Sequence, residues 1–118
     1  MSELEKELAY YESQMIMYRE TLHDMNDEIA DLESWLEDLR KERKNLKSQE
    51  VHSSAEEDDK QQQIQEIESK GKNIAKQLQE KKEEKSELSQ KFQLLTSQYQ
   101  QLLHAKNCIL AEKINQES

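Results

Sequence analysis

Residues 22–39 read LHDMNDEIADLESWLEDL, and within them Leu22, Met25, Ile29, Leu32, Leu36 and Leu39 recur in alternating steps of three and four. A helix wound at slightly under 3.6 residues per turn keeps such a stripe facing one neighbouring helix, so the stretch reads as the seam of a coiled coil. The series extends outward in both directions. It runs back through Tyr18, Met15, Tyr11, Leu8 and Leu4 and forward to Leu46, and Arg43 is its one polar member.

Composition leads to the same class. The chain is 36% charged and 33% hydrophobic, with one Gly, no Pro and a mean hydropathy of -1.18. That apolar content is too thin for a packed globular core, yet enough for long helices that each need two apolar residues per heptad. A disordered polyampholyte would have similar composition but would lack the sustained period. The predicted class is all-α, built from long coiled-coil helices.

A second seam begins at Ile64 and continues through Ile67, Gly71, Ile74, Leu78, Lys81, Lys85, Leu88, Phe92, Leu95, Tyr99 and Leu102. It is weaker than the first. Gly71 costs about 1 kcal/mol of helix propensity relative to Ala, and Lys81 and Lys85 must lead their ammonium groups sideways to water along apolar stems. Beyond Leu102 the apolar positions shift and widen through Leu103, Ile109, Leu110 and Ile114. A broader stripe predicts contact with more than one neighbour, which marks Leu103, Leu110 and Ile114 as candidate partner-docking residues.

Between the seams, residues 47–63 contain only Val51 and Ala55 as apolar residues. Arg40, Lys41, Arg43, Lys44 and Lys47 suit a helix C-terminus, and the acids at 56–59 suit the start of another helix, with Ser54 and Glu57 at capping-box spacing. The expected organisation is one coiled-coil unit over 1–118, with a helix over 3–50, a polar turn over 51–55 and a helix over 56–116. Folding about residue 55 sets Leu46 against Ile64, Leu39 against Gly71, Leu36 against Ile74, Leu32 against Leu78, Leu22 against Leu88, Tyr18 against Phe92 and Leu8 against Leu102. It also sets Arg40 beside Glu68 and, unfavourably, Glu28 beside Glu84. The alternative is one continuous helix in a parallel dimer, because no Gly or Pro forces a break and the heptad phase carries through to Ile64.

Charge favours the hairpin. Residues 1–59 hold 18 acids and 7 bases, a net of −11, whereas residues 60–118 hold 8 acids and 10 bases, a net of +2. Antiparallel pairing sets the acidic half against the lysine-bearing one, and a parallel dimer sets it against its own copy.

Function classes narrow accordingly. A two-stranded rod offers no water-excluding pocket in which catalytic groups converge, and no phosphate loop, nucleophile motif or Cys-x-x-Cys pair occurs, so neither enzyme activity nor a cofactor, metal or small-molecule substrate is expected. An acidic chain lacks the basic stripe that nucleic acid requires, and no run approaches the roughly 20 apolar residues of a membrane span. The single cysteine, Cys108, and the absence of a secretory leader point to a reducing compartment, cytoplasmic in preference to nuclear. Expected partners are proteins, through self-association or a hetero-coiled-coil.

Two functional readings follow. The first is a structural or assembly protein acting as an oligomerisation element, spacer or scaffold in a cytoskeletal, centrosomal, kinetochore, ciliary or tethering complex. The second is a regulatory adaptor, in which Trp35, beside the seam among Asp31, Glu33, Glu37 and Asp38, recruits a client; large aromatics anchor interfaces, and a basic groove would accept the surrounding carboxylates.

Overall fold

The structure, a computed structural model, describes residues 2–117; Met1 and Ser118, the ends of the expected 1–118 unit, lie outside the described residues. It is an all-α helical hairpin: α1 spans Glu3–Ser48, α2 spans Ser54–Glu117, and residues 49–53 join them. The continuous helix is therefore not the form adopted.

The ends of the helices show why the chain turns where it does. Ser2 caps α1, its Oγ accepting from the Glu5 N–H at 3.1 Å. Ser53 caps α2 in the same way, accepting from the Glu56 N–H at 3.1 Å, while the Glu56 carboxylate reaches back to the His52 N–H at 2.8 Å. The expected Ser54–Glu57 box is thus displaced by one residue, and the link falls at 49–53 in place of 51–55. Both Ser53 and Ser54 have an acid three residues on; backbone geometry selects Ser53. At the other side of the turn, Lys60 of α2 donates to the carbonyls of Lys47, at 3.2 Å, and Gln49, at 3.0 Å. These are acceptors that the end of α1 leaves without helical partners, and a cation there also complements the negative end of the helix dipole. The turn uses no left-handed residue.

The two helices together form two compact units. One comprises Met25–Glu84 and contains the turn. Its core holds Ile29, Leu32 and Leu78, with Leu36 and Ile74 packed against them, and, nearer the turn, Leu46, Ile64 and Ile67, with Leu39 against them. This is the antiparallel register obtained by folding about residue 55. Burying each such side chain contributes about 1.5–3 kcal/mol. The core is one layer thick, and among the described residues no side chain is less than 2% exposed.

Ion pairs flank this core. Lys81 Nζ lies 2.7 Å from Glu28 and 3.8 Å from Glu84, so a seam lysine bridges the two carboxylates that the folded register brings side by side. Lys82 meets Glu33 at 3.4 Å. Glu68 pairs with Arg43, at 3.0 Å, and not with Arg40, which turns to Glu37 on its own helix at 3.6 Å. Arg43 occupies a seam position, and its long side chain leaves the core to reach that carboxylate.

The second unit holds the remainder of both helices. Leu8 is its buried residue, at 5% exposure, and Leu4, Tyr11, Met15, Tyr18 and Leu22 of α1 and Leu88, Phe92, Leu95, Tyr99 and Leu102 of α2 are half-buried. Tyr99 Oη donates to Glu12 at 2.7 Å, joining residues 87 apart in sequence. Tyr10 and Tyr11 meet edge to face, their ring centroids 5.9 Å apart.

Candidate protein-docking surfaces

Each apolar seam residue named above is buried or half-buried, which leaves the flanks and outer faces to make external contacts. In an antiparallel helix pair the residue before each leading seam position (g) faces its counterpart on one side. The residue after each trailing seam position (e) does so on the other. Each unit therefore has two distinct flanks.

In the unit Met25–Glu84, Trp35 stands on the g flank and is 54% exposed. Its indole borders a shallow groove with Asp38, Leu39, Lys70, Asn73 and Ile74. More than half of the residue is open to solvent, as the amphipathic ring tolerates. On the opposite e flank, a groove of about 400 Å³ is lined by Leu36, Leu39, Ile67, Gly71 and Ala75 and bordered by Arg40, Arg43 and Lys72, with Glu68 paired to Arg43 at its edge. Gly71 forms the floor of this groove. A Cβ placed there would sit 3.9 Å from Leu36 Cδ1, an ordinary contact, so the groove exists because a seam position lacks a side chain and not because a side chain is excluded. Further along the same flank Lys44 and Lys47 join Arg40 and Arg43 around a smaller hollow.

In the other unit, Tyr10, Ile16, Met17 and Leu94 are exposed outside the seam. Of the docking residues expected on α2, Leu103 is half-buried, Leu110 is 47% exposed and Ile114 is 66% exposed, with Ile109 beside them. In the register fixed by Tyr99 and Glu12, the Ser2 cap stands level with the helical turn around Ile109. Beyond that turn α2 has no α1 residue opposite it. Cys108 is exposed, its Sγ 3.6 Å from His104 Nε2 one turn earlier.

Sequence reading singles out Trp35 and the C-terminal stripe but not the basic groove. The signal for the groove is present in Gly71, a seam position with no side chain, flanked on the facing helix by Arg40 and Arg43; it becomes visible only once the register is fixed. Tyr10, Ile16, Met17 and Leu94 are exposed apolar residues of the kind ordinary on protein surfaces. Among the described residues, no group of three or more His, Cys, Asp or Glu side chains is placed to hold a metal ion. Nor, among the described residues, is any helix long and apolar enough to cross a membrane.

Comparison with known proteins returns no match to a protein-family model, to a curated protein or to a solved structure.

Proposed function

We propose that this chain is a non-enzymatic assembly element, a helical hairpin that serves as oligomerisation module, spacer or scaffold within a larger protein complex of the cytoskeletal, centrosomal, kinetochore, ciliary or tethering kind. The observation that carries the reading is the set of large apolar side chains left outside the seam, Trp35, Ile109, Leu110 and Ile114 foremost. Side chains of this type presented on rigid helices are what an interface draws on, because little conformational entropy is lost when they are covered. A one-layer core is also marginal unless another surface supports it, so the hairpin gains stability wherever it docks.

The setting is a reducing compartment, with the cytoplasm preferred. A regulatory adaptor role is the second reading, favoured by the open indole of Trp35 among carboxylates; in that case Trp35→Ala removes client binding and leaves helicity and mass unchanged.

Sedimentation velocity on the purified chain, across concentrations from about 10 µM to about 1 mM, tests the assembly reading. The expected result is a mass above that of the 14.1 kDa chain, rising with concentration. A chain that stays monomeric throughout, and that captures no helical partner on crosslinking in cells, contradicts it.

A further inference from the structure

The flanks of the unit Met25–Glu84 carry opposite charge at one level of the helix pair. On the g side Trp35 shares its face of α1 with Asp31, Asp38 and Glu42, and the groove it borders also holds Lys70. On the e side the apolar groove over Gly71 is bordered by Arg40, Arg43 and Lys72, with Lys44 and Lys47 beyond. Glu37 and Glu68 lie there too, each already engaged by an arginine. Leu39 contributes to both grooves, so the aromatic and the hollow sit on opposite sides of the same layer.

We infer that the occupant of the Gly71 groove is Trp35 of a second copy of this chain, brought in by the carboxylates that share its face of α1. An indole is large, flat and apolar with one donor, and the hollow that Gly71 leaves is apolar at its floor and cationic at its rim; Arg40 or Arg43 can also stack on the ring face. Opposite charges around the anchor steer the encounter and set its orientation. The donor surface and the acceptor surface are different patches on opposite flanks, so the contact is heterologous. Each copy that accepts a tryptophan still offers its own, and copies add side by side without a two-fold axis to close the assembly. This inference rests on the assembly reading and specifies the partner and the surface.

The test uses two variants of the full chain, Trp35→Ala, which lacks the anchor, and Arg40→Glu/Lys72→Glu, which reverses the rim of the groove. Helicity is checked by circular dichroism and association by sedimentation. Each variant alone is expected to associate at least about tenfold more weakly than the wild-type chain. Mixed, they are expected to form a heterodimer that grows no further, because the rim variant still carries Trp35 and the anchor variant still carries an intact groove. Raising salt from about 0.05 M to about 0.5 M is expected to weaken wild-type association, since exposed charges do the steering.

Wild-type strength of association in Trp35→Ala overturns the inference while leaving the assembly reading intact. So does the absence of a heterodimer from two helical variants. A wild-type chain that remains monomeric removes the second copy as occupant; capture of a different helical protein would then keep the assembly reading, and no capture would remove both.

Discussion

At the residue scale, Lys60 shows how a single side chain fixes the turn. Its ammonium group serves two carbonyls at the end of α1 from the first turns of α2, so Lys60→Met, which keeps the stem and removes the donors, is expected to cost about 1 kcal/mol in chemical denaturation. Ser53→Ala is expected to cost about the same through loss of the α2 cap, whereas Ser54→Ala, one residue along, leaves stability unchanged. Gly71 acts in the opposite direction. A methyl group fits there without a clash, so Gly71→Ala raises stability by about 1 kcal/mol through helix propensity while making the basic groove shallower. Stability and self-association of that variant should therefore move in opposite directions.

Two titrating groups add a pH dependence of definite sign. The hydrogen bond to Glu28, and then its charge, hold the Lys81 ammonium group above its ordinary value of 10.5. The hydrogen bond to Glu12, with burial and the carboxylate charge behind it, raises the Tyr99 phenol above 10.0. A group whose affinity for its proton is higher in the folded chain contributes stability below its unfolded value and loses it as pH rises through the folded one. Stability is thus expected to fall in the alkaline range, above about pH 10. Denaturation midpoints measured from pH 8 upward should decline less steeply in Tyr99→Phe than in the wild-type chain; equal slopes would mean that the Tyr99–Glu12 bond contributes nothing in solution.

At the element scale, the two seams were readable because each apolar position repeats at the interval that a supercoiled helix imposes. Leu32 and Leu78, or Leu46 and Ile64, can be paired from the sequence once the polar stretch between the seams is taken as the turn, and they are the pairs found in the core. Other features depended on local geometry that periodicity does not encode. The choice of Ser53 over Ser54 as cap is one, and the departure of Arg43 from the core to meet Glu68 is another. The basic groove needed both helices in place before its apolar floor and cationic rim could be seen together. Trp35 was legible as an aromatic beside the seam among acids, and it is exposed in the structure; the groove on the opposite flank was not legible.

The same distinction between seam and surface predicts the cost of truncation. Leu32→Ala removes a buried side chain from a thin core and is expected to destabilise by about 2–4 kcal/mol, whereas Leu94→Ala, 62% exposed, is expected to fall within about 0.5 kcal/mol of the wild-type chain. Thermal and urea denaturation would separate the two cases. An equal loss at both sites would mean that Leu94 is covered, and hence that the second unit has a partner surface already formed in the isolated chain.

At the scale of the whole molecule, one chain supplies both partners of the helix pair. Charge makes that arrangement favourable, since an acidic first half meets a second half with a slight excess of base. It also shapes the surfaces left over, because the intrachain pairing brings Arg40 and Arg43 beside the gap at Gly71 and leaves Trp35 on the other flank. A continuous helix would pair different residues and dissolve both grooves. The proposed assembly therefore stands or falls with the hairpin.

The most direct test is a pulsed electron-spin distance between labels on Ala30→Cys and Gln79→Cys in a Cys108→Ser background, diluted with unlabelled chain so that only intrachain distances register. Both positions are exposed and lie on the same flank of the unit Met25–Glu84, one on each helix. Helices packed side by side at 8–10 Å between axes place such labels about 20 Å apart. That short distance is the predicted result; a distance of about 70 Å, the rise of an unbroken helix between the two residues, would contradict the hairpin and everything built on its register.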